Sequence, residues 1–351
     1  MTGSGFRRGR SARSLARLAI SIVVLLSAAL PARAEWFSRE EAIMGTSVRV
    51  ELWHEDAAAA RSAMTAVMDE MHRIDRAMSP YKPESELSRI NREAARKPVP
   101  ISQEMVDLIA RSIEFSKLSG GAFDITFSSV GYLYDYRKHI KPTDAQIAEA
   151  LPGINYRHLQ LDPARRTIHF ARAGVRIDLG GIAKGYAVDN CIAILKSRDI
   201  TNAIVTAGGD SRILGDRRGR PWNIGIRDPR RGGEVVAVLP LENVAISTSG
   251  DYERYFEEDG VRYHHIINPK TGKSATGVRS VTIIGPDSIT NEGLTKSVFV
   301  QGPKEGMRLI ESLKGIDAII IDDQGNMSYS PGLRRAVRES PAPGKAERPG
   351  R

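Results

Sequence analysis

The chain has 351 residues and a formal net charge of +9, but the excess sits at its two ends. Residues 1–34 hold six arginines and no acid, and residues 334–351 hold six basic residues against two glutamates, which leaves the body between them near −1. Nothing in such a body argues for a nucleic-acid surface, which needs a basic face on the folded domain, and its length suits one large domain or two closely packed lobes.

Arg7, Arg8, Arg10, Arg13 and Arg17 precede an apolar run over 18–30, and Ala32-Arg33-Ala34 gives a small-x-small cleavage site before Glu35. This is the layout of a secretory signal over 1–34, too short and wrongly flanked for a membrane span. The mature chain is therefore expected outside the cytoplasm, with no spanning segment after cleavage. Arg7-Arg8 raises a twin-arginine route, although the residues after the pair match that signal poorly; the general secretory route is the alternative. No cysteine stands near the cleavage site, which excludes a lipid anchor there. Cys191 is the only cysteine, so no intrachain disulfide forms. It lies on an apolar helix face and reads as a buried small side chain rather than a nucleophile.

Residues 46–53 alternate as an edge-like strand, with Val48, Val50 and Leu52 on one face. A long helix follows over 57–78, in which Met64, Val67, Met71, Ile74 and Met78 recur every three or four residues as a core stripe. A second helix over 103–118 is capped by Ser102, and a short one over 143–150 by Thr143. Strands are predicted over 158–161, 167–170 and 175–178, then a helix to about 197. Segments 203–206 and 211–214 flank Gly208-Gly209 as a hairpin. Further strands fall at 222–226, 235–239, 244–247 and 280–285, helices at 291–300 and 304–313, and strands at 318–321 and 327–330. Grouped strands and helices without regular βαβ alternation predict an α+β fold with mixed sheets and packed helices. The body is bounded at 35–331, and the Pro/Gly/Arg-rich residues 332–351 read as a disordered basic tail.

The most informative stretch runs from Val175 through Asp178-Leu179-Gly180-Gly181-Ile182-Ala183-Lys184-Gly185 to Asp189. It reads as an apolar strand, a carboxylate, a glycine turn, and a helix with a lysine in its first turn. Free N–H groups at a helix start attract anions, and glycines let a phosphate approach. The spacing matches neither the P-loop nor the dinucleotide fingerprint. A plain strand-to-helix turn with Asp178 as a local cap is the alternative reading at this point. Five other blocks are too polar and glycine-rich for core: Met44-Gly45-Thr46, Ser79-Pro80-Tyr81, Gly120-Gly121-Ala122-Phe123-Asp124, Thr248-Ser249-Gly250, and His265-Ile266-Ile267-Asn268-Pro269 with Thr271-Gly272. Taken alone, each is a helix stop, a helix cap or a turn.

Taken in order, with Gly208-Gly209-Asp210, these blocks resemble the ApbE family of FAD:protein FMN transferases over nearly the whole body. The resemblance implies one T-fold-related domain of two intimate lobes. It implies a reaction in which a threonine or serine hydroxyl of a separate flavoprotein attacks the FMN-side phosphorus of FAD, with release of AMP and magnesium at the pyrophosphate. Carried onto this sequence, Met44 and Tyr81 are expected against the flavin, and Ala122, Phe123 and Asp124 against the ligand. Asp178, Lys184 and Ile266 fall on further FAD positions, Lys184 being suited to a phosphate oxygen. Gly181, through its carbonyl, is expected to ligate magnesium together with Glu292 and Thr295. His265 is the candidate base, since a neutral imidazole accepts a hydroxyl proton near pH 7; orienting a phosphate is its alternative role. His264 reads as a surface strand residue.

One block departs from the family's usual Ala-Asp-Ala-Leu-Ser/Asp-Thr. Here Asn291-Glu292-Gly293-Leu294-Thr295-Lys296 puts glutamate for the metal-binding aspartate and Lys296 for the threonine. A protonated lysine repels a metal at close range, so Lys296 either points away or partly substitutes for the metal's charge. Asn268 stands where aspartate is usual. This pattern is similar to the NosX branch, which matures the flavoprotein NosR of nitrous oxide respiration. An FAD pyrophosphatase using water as nucleophile, and a non-catalytic periplasmic FAD carrier, are the competing functions.

Overall fold

The computed structural model describes residues 1–3 and 35–334. The expected signal and most of the basic tail lie outside the described residues. In chain order the elements are β1 (Glu35–Ile43), β2 (Thr46–His54), α1 (Ala57–Met78), α2 (Glu86–Glu93), β3 (Val99–Pro100), α3 (Gln103–Leu118), α4 (Ser128–Gly131), α5 (Asp144–Ala150), β4 (Leu159–Asp162), β5 (Thr167–Phe170) and α6 (Ala183–Lys196). There follow β6 (Ala203–Ala207), β7 (Asp210–Leu214), β8 (Trp222–Arg227), β9 (Val235–Leu241), β10 (Ala245–Gly250), β11 (Tyr255–Glu258), β12 (Val261–His264), β13 (Val278–Gly285), α7 (Ser288–Gln301), α8 (Pro303–Glu311), β14 (Asp317–Asp322) and β15 (Met327–Tyr329).

The frame is an eight-stranded sheet in the order β1-β2-β6-β7-β10-β13-β14-β15. The α+β class expected from the sequence forms. Every ladder among the described residues is antiparallel, so the sheets are mixed in strand order and not in direction. Period-two alternation sorts their side chains. Val48, Val50 and Leu52 of β2 pack with Ala203, Val205 and Ala207 of β6 beneath α1, α3 and α6. Val281, Ile283, Ala318 and Ile320 pack under α7 and α8. On the opposite face Ile246, Ile284 and Ile319 meet Ile226 and Leu239 of the β8–β9 ribbon.

Helix α1 begins where Asp56 accepts hydrogen bonds from the backbone of Ala58 and Ala59, and it buries Met64, Val67, Met68, Met71, Ile74 and Met78. Each such side chain contributes on the order of 1.5–3 kcal/mol when taken from water. The methionines are core. Cys191 is also fully buried, its thiol pushed up by burial, with Sγ donating to the Val67 carbonyl at 3.5 Å.

The structure differs from the sequence reading at four places. Segment 46–53 is not an edge, because β1 pairs outside β2 along its whole length; the imperfect alternation of Glu35–Ile43 hides that strand. The β11–β12 hairpin was not foreseen, its four-residue strands being rich in charge. Residues 175–178 form no strand. Asn91 holds Ile177 at both ends, Nδ2 donating to the Ile177 carbonyl at 2.9 Å and Oδ1 accepting its N–H at 2.8 Å. Ser129 Oγ accepts from Arg176 N, and Asp178 N donates to the Ile125 carbonyl. Side chains and a loop thus satisfy backbone groups that a ladder would otherwise pair. The boundary expected at 332 falls inside a helical turn over 331–334, where Leu333 packs on the ribbon core and Arg334 donates to the Tyr329 carbonyl.

Candidate active site

Two helix starts meet at the site, and each is capped by the other helix. Asp189 on α6 accepts the backbone N–H groups of Ser288 and Ile289 at 2.9–3.0 Å and pairs with Arg212. Glu292 on α7 reaches back and accepts the N–H of Gly185 at 2.8 Å. Carboxylates at helix N-termini satisfy free donors and complement the helix dipole. Only glycine fits at 185, since a Cβ would lie 2.4 Å from the Ser288 carbonyl oxygen. The N–H expected to attract a phosphate there is therefore held by the protein's own carboxylate.

Lys184 lies between two carboxylates. Its Nζ is 2.8 Å from Asp210 and bonds the other oxygen of Glu292. Glu292 is completely buried. Burial works against the charge on Lys184, but Asp210 and Glu292 outweigh it and hold the amine above its ordinary value. Burial, and then repulsion from Asp210, raise Glu292 against the pull of the two lysines. Asp210 is delivered by the Gly208-Gly209 turn, which lies flat on β10: Thr248 N donates to the Gly209 carbonyl at 2.8 Å, and a Cβ at 209 would sit 2.3 Å from the Thr248 oxygen.

One turn along α7, Lys296 points into the same cluster. Its Nζ donates to Ser249 Oγ at 2.8 Å and lies 3.4 Å from Thr295 Oγ1 and 3.8 Å from Glu292 Oε1. Burial pulls its amine below the usual value, with Glu292 opposing. Gly181 borders it, for a Cβ there would be 3.1 Å from the Phe123 ring and 3.7 Å from Lys296 Cγ. Phe123 stands edge-on to Phe115 at 5.7 Å.

The Asp178 carboxylate accepts from Gly180 N at 2.6 Å. It is raised by burial, against that N–H and the charges of Arg254 and Lys184. Arg254 also donates to the Gly45 carbonyl at 3.4 Å, and its own carbonyl accepts from His265 N. Met44 and Gly45 form a two-residue β1–β2 turn, with φ of 55° and 71°. That conformation is uncommon for a methionine, whose side chain packs half-buried against the main core. The His265 imidazole is held well below the ordinary histidine value by burial and then by Lys296 and Arg254. Its Nδ1 is buried and has no partner among the described residues.

His264 is not a surface residue. It is buried, its Nε2 donates to the Ala275 carbonyl at 2.8 Å, and its Nδ1 accepts from Ile266 N. It braces the loop that carries His265. Ile266 points into the core under α7. Ala122 is buried; Asp124 is buried with both oxygens engaged, Oδ1 by Thr126 and Oδ2 by Tyr156 N at 2.7 Å. Burial raises the Asp124 carboxyl despite these bonds. Tyr81 is 84% exposed and lies outside the charged cluster.

The donors expected for magnesium do not fit a divalent ion. Magnesium wants oxygens in near-octahedral array at about 2.1 Å. Both Glu292 oxygens already hold N–H donors, and Thr295 Oγ1 donates to the Glu292 carbonyl at 2.7 Å while accepting from Ser249 at 2.8 Å. Among the described residues no three His, Cys, Asp or Glu side chains converge as a metal-binding group. A divalent charge about 4 Å from the Lys296 ammonium would be repelled by roughly 8 kcal/mol at an effective dielectric of 20.

Sequence reasoning gave no site role to Asp210, Ser249 or Arg254. The first two lie in blocks it had singled out, beside Gly209 and Gly250. Nothing near Arg254 marked it, because its neighbours come from β1–β2 and the 178 loop.

Comparison with known proteins identifies the family. The ApbE family pattern covers residues 44–320. The chain is 33% identical over 326 residues to an FAD:protein FMN transferase of Treponema pallidum, covering 88% of this chain and 90% of that relative. It is 33% identical over 311 residues to one of Haemophilus influenzae, covering 85% and 90%. The crystal structure of the ApbE protein of Thermotoga maritima superposes with a TM-score of 0.80 at 36% identity, over 86% of this chain and 99% of that one. The flavin transferase ApbE of Vibrio cholerae gives 0.78 at 29%, with the same coverage. With residues 44–320 matched by the family pattern and relatives at 33% identity over most of its length, the chain belongs to the ApbE family and is an enzyme of the FAD:protein FMN transferase type.

Proposed function

We propose that the chain transfers the FMN half of FAD to a threonine or serine hydroxyl of a partner flavoprotein in the periplasm, releasing AMP. The observation that carries this is the convergence of Asp178 and Lys184, His265, and Lys296, from three separate segments, on one charged cluster. In the step, the hydroxyl oxygen bonds the FMN-side phosphorus while the bond from that phosphorus to the bridging oxygen breaks. The bridging oxygen leaves with AMP and takes the electron pair. His265, neutral near pH 7 and with an open buried nitrogen, accepts the hydroxyl proton. Met44, Tyr81, Ala122 and Phe123 border the flavin side. Asp178 accepts from a ligand N–H or O–H. Asp124 supports the 122–126 turn and reaches the ligand only through it, and Ile266 does so through its backbone.

Lys184 is held by two carboxylates and acts by fixing them, whereas Lys296 keeps donor capacity for phosphate oxygens. The magnesium implied by the resemblance to the family, with Gly181, Glu292 and Thr295 as ligands, forms no part of this reading because the donor set does not fit it. The arginine-rich leader supports the periplasmic location, and the 291–296 block, similar to the NosX branch, supports a NosR-type acceptor.

The test is incubation of the mature chain with FAD and a flavoprotein subunit that carries a threonine acceptor, in chelator and in magnesium. Covalent in-gel flavin fluorescence with matching AMP is expected. Free FMN with no labelled acceptor would make the protein a pyrophosphatase. FAD retained with neither product would make it a carrier.

A further inference from the structure

The two buried lysines of the cluster are not equivalent. Lys184 has a carboxylate on either side, Asp210 and Glu292. Lys296 has a single short bond, to the neutral Ser249 hydroxyl at 2.8 Å, and its nearest carboxylate oxygen is 3.8 Å away. It is redundant as a structural partner of Glu292, whose oxygens are already met by Lys184 and Gly185 N. An ammonium has three donors, and the Lys296 side chain is 17% exposed, so it is not sealed from solvent as Glu292 is.

We propose that Lys296 is a built-in cation for the FAD pyrophosphate, taking the part of a divalent metal, so that this chain binds FAD and transfers FMN without a divalent ion. The proposal rests on the FAD-transfer reading above. A metal enters with its ligand, but a lysine must be held before the ligand arrives. The cluster meets that requirement: Lys184, Lys296 and Arg254 stand against Asp178, Asp210 and Glu292, three charges of each sign. When the pyrophosphate enters, Lys296 turns its remaining donors from the cleft to the non-bridging oxygens while Ser249 keeps its hold. The charge that develops on the departing AMP oxygen then meets a fixed ammonium. The proton of the acceptor hydroxyl still goes to His265, and no other co-reactant is needed.

The experiment measures FAD affinity by flavin fluorescence, in EDTA and in magnesium, with acceptor labelling followed in parallel. The wild-type chain is expected to bind FAD equally in both, within about twofold, and to label the acceptor in both. Lys296→Thr, which puts back the family's oxygen, is expected to lose about tenfold or more in EDTA and to recover only in part with magnesium, since Glu292 stays engaged. Lys296→Arg keeps a cation and is expected to bind without metal. A wild-type affinity that rises about tenfold or more with magnesium would overturn the proposal, and that comparison needs no variant. So would a folded Lys296→Thr that binds FAD in EDTA as well as wild type does. FAD bound equally in EDTA and magnesium, with no acceptor labelled in either, would uphold the built-in cation and remove the transfer reading. No FAD binding in either condition would overturn both.

Discussion

Lys184→Met removes the cation that lies between Asp210 and Glu292. The substitution keeps the volume and the unbranched stem but leaves two carboxylates buried with their mutual repulsion. Taking one partner from a buried ion pair costs about 3–5 kcal/mol, and two carboxylates lose their shared cation here, so the upper half of that range is expected at neutral pH. Urea denaturation followed by far-UV circular dichroism reads it directly as a lower midpoint at unchanged slope. The pH dependence gives a second, independent check. Burial and Asp210 already raise Glu292 in the folded protein. A carboxyl raised on folding keeps its proton where the unfolded chain has lost it; its contribution is present below the ordinary carboxylate range and is lost as pH rises through the folded value. Without Lys184 the folded value rises further. The penalty of Lys184→Met is therefore small near pH 4, about the unfolded value, and grows toward neutrality. Adding Glu292→Gln should recover part of the loss, because a neutral amide still accepts from Gly185 N. A loss under about 1 kcal/mol at pH 7, the range of exposed pairs, would refute the reasoning. A loss that does not shrink in acid would refute it too.

Asn91→Ala should leave both backbone groups of Ile177 without partners, costing about 1–3 kcal/mol each, and should weaken FAD binding by loosening the Asp178 loop; an unchanged melting temperature would sink this. Gly185→Ala forces a Cβ into the Ser288 carbonyl and should cost about 1–3 kcal/mol as overpacking, read by the same denaturation. Asp189→Asn keeps an acceptor for the α7 start but drops the Arg212 pair, so a loss nearer 1 than 3 kcal/mol is expected, of order a partly buried cap and pair. His265→Ala should abolish labelling while FAD still binds. The acid limb of the wild-type labelling rate should fall below the ordinary histidine value of about 6.5, because burial, Lys296 and Arg254 disfavour the imidazolium; Arg254→Met should move that limb upward, and a limb at or above the ordinary value would count against His265 as base.

Much of the frame was legible because it follows from short-range rules. The methionine stripe of 57–78, the Ser102 and Thr143 caps and the Gly208-Gly209 hairpin each rest on spacing within a dozen residues, and each formed. Residues 175–178 misled because their apolar alternation is real, yet their backbone partners are the Asn91 and Ser129 side chains, far away in sequence. His264 misled too: it read as a surface strand residue, but its imidazole closes a loop onto Ala275. Several of the ordered glycine-rich blocks meet at the charged cluster. They could not show which charges neutralise one another inside it, since Lys184, Asp210 and Glu292 meet only through the tertiary fold.

The two departures in the 291–296 block make physical sense as one change. A glutamate at 292 is a methylene longer than aspartate, and that reach lets one carboxylate touch both Gly185 N and Lys184 across the helix crossing. Held there, it is drawn away from the centre of the cleft. The position four residues on, one turn along the same face, then receives Lys296, which lies 3.8 Å from the carboxylate it does not need. Had Lys296 come alone, beside a shorter aspartate free to swing, the two would pair and cancel in the cleft. Had Glu292 come alone, the cluster would hold Asp178, Asp210 and Glu292 against Lys184 and Arg254 and disfavour an anionic ligand. Substituting both, Glu292→Asp with Lys296→Thr, should therefore restore metal-dependent FAD binding more fully than Lys296→Thr does. Equal recovery in the single and double variants would mean that the two residues act independently.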